Sequence, residues 1–384
     1  MLIFNAELHP IDAPVLERGY VEVQGGKIAA LGPMDQCPPT GAGDFDAHGG
    51  QLYPGWVDIH CHLGLLTDGL PYDMDDCNEI TDPVTPHMRA LDALYPMDRC
   101  FQEAREGGVT TVLTCPGSAN AIGGQIVAVK TAGRWADDMV VQNPAAMKFA
   151  LGENPKGCYG EKKESPMTRM ATAALIREQL ELTREYAERK RAAREDPDKD
   201  APDYDAKLEA LLSVLEGKLT AHFHAHRCDD IATAVRISRE FGLDYVIVHG
   251  TEGHLVADLL RREGARVVTG PIIGDRGKPE LLHQTVENTA KLAEAGVKVA
   301  ICTDHPENPI QYLPLAAALC VRHGLSEEQA LRAITLDAAE IGGIAHRVGS
   351  LTPGKDADLV LYPGSPFALD ALPGAVWILG ERVK

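Results

Sequence analysis

Through the middle of the chain, short apolar runs alternate with stretches of helical periodicity. The runs "TTVLTC" (110–115), "MVVQ", "AMKFAL", "LTAHFHAH" (219–226), "YVIVHG" (245–250), "RVVTGP" and "KVAICTDHP" (298–306) have strand length. Amphipathic segments follow several of them, among them Asp229 to Phe241, "HLVADLLRREG", "ELLHQTVENTAKLAEAG" and "LPLAAALCVRHG". Strands that are apolar on both faces, each followed by a helix, predict a parallel sheet covered by helices. Together with the run ending at His60, the candidate strands fit an α/β fold of the (β/α)8 TIM-barrel type. An open doubly wound sheet is the competing architecture.

The two ends of the chain read differently. "YVEVQGGKIAALGP" near the start, and "VGSLTPGKDADLVLYPG" and "GAVWILGERVK" near the end, alternate in period two around glycines, as hairpins do. Residues 1–50 with 347–384 are therefore expected to pair into one small β-sandwich domain beside a barrel at 51–346. Two insertions interrupt the barrel pattern. The acidic, Pro-containing stretch Leu65 to Leu94 is expected to wall or cover a pocket. The charge-rich helical segment at about 165–217 is expected to be a solvated hairpin.

Composition narrows the partners. Lys+Arg 37 against Asp+Glu 56 gives a net charge of −19, which argues against nucleic acid or an anionic membrane. No run reaches membrane-spanning length, and the N-terminus lacks a signal-peptide pattern. The nine cysteines are scattered without a CxxC pair. A reduced, cytoplasmic protein acting on a small molecule is the expectation.

The 14 histidines carry the chemistry. In "YPGWVDIHCHLG", Asp58, His60 and His62 share one strand face. His222, His224 and His226 share another in "LTAHFHAH", His249 ends "YVIVH", and Asp304 follows "KVAIC". All are predicted C-terminal strand ends, and in a parallel barrel such ends meet at one face. A buried, satisfied histidine explains any single position; convergence from several strands predicts a metal pocket. Lys148, inside the apolar run "AMKFAL", adds a second anomaly, because burying a lone ammonium costs several kcal/mol. Desolvation would leave a nucleophilic amine able to capture carbon dioxide as a carbamate. The alternative is a lysine whose head snorkels to the rim.

His60-x-His62, Lys148, the fifth-strand histidines, His249 and Asp304, with "EGGVTTVLTCPGSANAIGGQ" and "VGSLTPGKDADLVLY", make the whole chain resemble the amidohydrolase superfamily. Within it, the imidazolonepropionase-related and prolidase-like members are the most similar. The resemblance implies two divalent metal ions, zinc before manganese, iron or cobalt. His60, His62 and Asp304 would hold the more buried ion. His224, with His226 as the alternative, and His249 would hold the second. Lys148 as its carbamate would bridge them. It further implies hydrolysis of an amide, cyclic or dipeptide-like, by a metal-activated hydroxide with Asp304 as base and then acid. A homo-oligomer is also implied.

Asn120, Gln125 and Arg227 are candidates for holding substrate, Arg227 through a carboxylate. Asp58 is expected to support a ligand histidine. The chain lacks the fifth-strand His-x-x-Glu of one-metal nucleobase deaminases, which disfavours deamination. An imidazolone-type ring hydrolase or a lactonase remains an alternative, and a non-catalytic barrel relative would normally have lost ligands that are all present here.

Overall fold

The computed structural model of the chain describes residues 1–67 and 75–384. Strands β6 (Trp56–Cys61), β7 (Val109–Thr114), β8 (Ile122–Lys130), β9 (Val140–Ala150), β10 (Thr220–Ala225), β11 (Tyr245–His249), β12 (Arg266–Thr269) and β13 (Lys298–Ile301) form one sheet in sequence order. Its two edges are brought together beyond the strand ends, where Asp304 N–H donates to the His60 carbonyl at 3.2 Å and His62 N–H to the His305 carbonyl at 2.9 Å. The result is a nearly closed eight-stranded barrel.

One strand runs against the expectation of an all-parallel sheet. β8 is antiparallel to both β7 and β9, while the remaining neighbours are parallel. The segment "AIGGQ", in which no strand was expected, opens this one at Ile122, and the bulk of "MVVQ" and "AMKFAL" belongs to the single strand β9. Gly123 and Gly124 hid the strand from a periodicity argument, because glycine supplies no side chain to either face.

Alternation places the barrel's layers. In β10, Ala221, Phe223 and Ala225 join Met147 and Phe149 of β9 and the covering helices, with Phe149 and Phe223 stacked at 4.8 Å. His222 and His224 consequently face the interior, where His222 pairs in register with Lys148. The helix Cys228–Phe241 carries Asp229 and Asp230 in its first turn and ends on left-handed Gly242 (φ 67°), as dipole and capping rules favour.

Within the inserted segment, helices Arg169–Glu195 and Ala206–Leu215 bury Ile176, Leu180, Leu211 and Val214. Their other faces are charged. Residues 68–74, part of the expected pocket wall, lie outside the described residues.

The termini meet in a second eight-stranded sheet of β1 (Leu2–Leu8), β2 (Leu16–Gln24), β3 (Lys27–Pro33), β4 (Phe45–Asp46), β5 (Gln51–Pro54), β14 (Leu359–Tyr362), β15 (Ala375–Ile378) and β16 (Glu381–Arg382). β2 and β3 join through Gly25 and Gly26 at φ 57° and 77°, the backbone a tight hairpin demands. N- and C-terminal segments join where β5 pairs with β14.

A buried ion cluster ties this sheet to the barrel. Lys130, 2% exposed, lies 2.9 Å from Asp356 and also contacts Asp358, both in the "GKDADLVLY" phrase. Arg347 reaches Asp356 at 2.8 Å. Beside the cluster, Gly55 leaves no room for a side chain: a Cβ there would fall 2.1 Å from Thr110 Oγ1. Removing Lys130 leaves buried Asp358 without a cation, while Asp356 keeps Arg347 and Lys27, so Lys130→Ala should lower unfolding free energy by about 3–5 kcal/mol in a urea titration.

Candidate metal centre

Strand ends deliver every group of the site. His60 lies within β6 and His62 one residue beyond it; His224 is in β10 with His226 one residue beyond; His249 closes β11. Asp304 follows β13 in a turn that closes the barrel. His249 (φ 70°) and Asp304 (φ 54°) both hold left-handed backbone conformations, which are costly for non-glycine residues and tend to mark functional positions.

The side chains converge. Asp304 Oδ1 lies 3.2 Å from His60 Nε2 and 3.4 Å from His62 Nε2, and Oδ2 lies 4.0 Å from His249. The His224 and His249 rings are 4.5 Å apart and His60 and His249 5.0 Å. His226 stacks on His249 at 4.6 Å. Among the described residues, three donor groups have ligand atoms within 4.8 Å of one another: His60, His249 and Asp304; His224, His226 and His249; and His60, His62 and Cys115.

Partners on the far nitrogens orient the rings. His62 Nδ1 donates to the Cys115 carbonyl at 2.7 Å and His249 Nδ1 to the Gly270 carbonyl at 2.8 Å. A carbonyl only accepts, so these two histidines keep Nε2 as a lone pair for a cation. His224 Nδ1 meets Ser118 Oγ at 2.9 Å, and His226 Nδ1 meets Thr251 Oγ1 at 2.7 Å. His224 Nε2 is buried without a hydrogen-bond partner, as is Lys148 Nζ. Lys148 is fully buried. Orphaned buried donors of this kind are expensive unless something absent from the polypeptide completes them. The donor set fits divalent metal: neutral imidazoles, a carboxylate and an amine that can become a carbamate.

Electrostatics divide the histidines. Burial would lower His62, but Cys77, Cys115 and Asp304 outweigh it and hold that ring well above the ordinary imidazole value. The other shifted rings of the site go the other way. Burial first, and then neighbouring positive groups, hold His224 well below the ordinary imidazole value. Burial does the same for His249, with Asp304 opposing it. Burial and then the Lys278 ammonium push His226 down to about 3. Burial alone would raise the Asp304 carboxyl, but His249, His60 and His62 outweigh it and keep it well below the usual range. His224, His226 and His249 as unprotonated imidazoles and Asp304 as an ionised carboxylate are in the forms that bind a cation, and a cation would have to displace the proton favoured on His62.

Asp58 is pushed up to about 6 by burial, against hydrogen bonds from Thr303 and the His60 backbone. It supports His60 through that backbone N–H (3.0 Å) rather than through the ring, and binds Thr303 N–H and Oγ1 at 2.9 and 2.6 Å.

A cavity of about 290 Å³ opens above the cluster, and His62, His224, His226, His249 and Asp304 reach it. The three candidate substrate residues do not. Asn120 is buried, donating to Thr85 (2.8 Å) and accepting from Tyr159 (2.7 Å). Gln125 lies along β8, its backbone N–H bonded to Met88. Arg227 turns away at the start of its helix and pairs with Asp229 at 2.8 and 3.0 Å, exposed. Ser118, Thr251 and Cys115, which no sequence pattern singled out, orient the rings of His224, His226 and His62. They sit one to four residues past strand ends, in segments without a periodic signal.

The Amidohydrolase family model matches residues 52–383. The chain belongs to the amidohydrolase family. This amidohydrolase is 31% identical over 389 residues to amidohydrolase tasK of Hapsidospora irregularis, covering 95% of this chain and spanning only 39% of that relative's length. It is 28% identical to an imidazolonepropionase of Geobacillus kaustophilus (strain HTA426), over 91% of this chain and 85% of that protein. The crystal structure of an amidohydrolase from Thermotoga maritima MSB8 superposes with a TM-score of 0.96 at 41% identity, covering 100% of this chain and 99% of the other.

Folding lowers the proton affinity of His224, His226 and His249, so the unfolded chain binds more protons than the folded one. Stability from these groups is complete above the ordinary value of 6.5 and drains as pH falls from there toward about 3. In chelator-treated protein, urea unfolding should lose roughly 3 kcal/mol by about pH 4.5 from His226 alone. A His224→Asn/His226→Asn double variant should show a flatter dependence.

Proposed function

We propose that this amidohydrolase hydrolyses the amide bond of a small molecule, a cyclic amide or a dipeptide-like compound, with two divalent ions, zinc foremost. His60, His62 and Asp304 would hold one ion, His224 and His249 the other, and carboxylated Lys148 would bridge them. The observation that carries this reading is the buried, unpartnered Lys148 Nζ on the strand next to His224. An uncompensated lysine at that place has a chemical rationale as a carbamate and none as a packing group. His226, whose hydroxyl-bonded ring faces the cavity, is the alternative ligand to His224.

When bound, the ions would supply Lewis acidity to the scissile carbonyl and to the attacking water. The chain's own contribution is proton handling and order. The carboxylate of Asp304, kept ionised by the histidines around it, would take a proton from the water and return it to the departing nitrogen. The tautomers of His62 and His249 are set by the carbonyls behind them, so the donors are in place before substrate arrives. The enclosed histidine floor limits bulk water around the reacting carbonyl.

Identity to an imidazolonepropionase across most of the chain supports a second reading within the same chemistry, opening of an imidazolone-type ring. Lactone hydrolysis would use the same groups.

Elemental analysis of protein produced with bicarbonate and mixed divalent metals should find two ions per chain. Lys148→Ala should fall to one or none and lose amide hydrolysis. Two ions retained in Lys148→Ala would remove the bridging role. Asp304→Asn should lower kcat by about 10²–10⁴-fold on whichever amide or ring substrate is turned over.

A further inference from the structure

The cavity above the histidines has an uneven charge. Asp75, Asp275, Asp304 and Glu307 line it, and Lys278 is the one cationic side chain lining it among the described residues. Residues 68–74, which lie outside them, contain no lysine or arginine. About half of the lysines and arginines pair with carboxylates, as Lys190 does with Glu209 and Arg177 with Glu240. Lys278 takes part in no such pair among the described residues. Its one hydrogen bond is a long one, 3.4 Å to the side-chain oxygen of Asn154. At least two ammonium protons are thereby left for something else.

Lys278 and Asn154 come from different parts of the barrel. Asn154 belongs to the helix Glu153–Glu161, directly after the strand of Lys148, and Lys278 to the segment after β12. Pro271, Ile273 and Leu281, from the segment that bears Lys278, also line the cavity and provide an apolar wall. The Lys278 charge is felt on the floor, where after burial it is the largest influence disfavouring a proton on His226.

We infer that Lys278, with Asn154, forms a carboxylate subsite, and that the substrate is a small amide carrying one free carboxylate and an apolar group. The ammonium would capture the carboxylate, and the adjacent amide of Asn154 would offer a second donor. The apolar portion would lie against Ile273 and Leu281. The surrounding carboxylates of Asp75, Asp275 and Glu307 discriminate against compounds with several negative charges, so a monoanion or a zwitterion fits and a polyanion does not. The inference rests on the amide-hydrolase reading for the bond that is broken, and on Lys278 alone for the charge that is recognised.

The test titrates N-acetyl-L-leucine and its uncharged counterpart N-acetyl-L-leucinamide into the metal-loaded protein by calorimetry. The parent should prefer the acid by about tenfold to hundredfold, the range for a hydrogen bond to a charged group. Lys278→Gln should erase that preference, and Lys278→Arg should keep most of it. An equal preference in Lys278→Gln, or none in the parent, overturns the subsite. Chromatography of the same samples reads amide cleavage separately. A preference that depends on Lys278 without any cleavage keeps the subsite and counts against the amide reading. Cleavage indifferent to Lys278 and to the carboxylate keeps the amide reading and removes the subsite.

Discussion

The carboxylate of Asp58 holds the two edges of the barrel together. One oxygen takes the backbone N–H of His60 and the other takes both the N–H and the hydroxyl of Thr303. That seam brings the first and last barrel strands to the same point, and with them His60 and Asp304. Residues 244 positions apart in sequence are thus fixed within 3.2 Å. Because Asp58 is fully buried, its hydrogen bonds are not exchanged with water, and each is worth more than at a surface.

Above that seam, the site is a concentration of polar groups that the protein alone does not satisfy. Histidine rings pack on one another at 4.5 to 5.5 Å, each turned by a partner behind it. A folded chain tolerates such crowding when it gains something by it, and here the gain is a preformed donor set. Left-handed backbone at His249 and Asp304 shows the same exchange of local strain for aim. The ion cluster of Lys130, Asp356 and Asp358 does a different task at the junction with the terminal sheet. It anchors that sheet to the antiparallel strand β8, the strand that breaks the regular barrel pattern.

Polarity also divides the cavity. Its floor is imidazole and carboxylate, one wall is apolar, and its mouth is acidic except for Lys278. A cavity of about 290 Å³ limits the ligand to a small molecule. The chain's strongly acidic balance is therefore not uniform here: among the described residues lining the cavity, Lys278 is a single cation without a carboxylate partner, and it stands at the mouth.

Much was legible in the sequence, and for a specific reason. Period-two alternation in "AHFHA" and a histidine at the end of an apolar run are local properties, so the inward-facing histidines could be named from strand ends alone. The hairpin at Gly25 and Gly26 was legible for the same cause, since its turn depends on two residues. Strand direction was not, because the parallel or antiparallel choice for Ile122–Lys130 depends on neighbours far away in the chain. Nor was the fate of Asn120, Gln125 and Arg227: Thr85 and Tyr159 claim Asn120, Asp229 deflects Arg227, and Gln125 lies within β8 against the carbonyls of Pro86 and Met88. Ser118 and Thr251 became ligand-orienting groups only through folding, which brings loops carrying no periodic pattern behind the imidazoles. The sequence by itself determined which residues could bind metal, since that is a matter of residue type and local alternation. Only the tertiary structure decided which of them meet, what holds each ring in place and which charge is left unpaired, because those depend on distances between segments that have no relation along the chain.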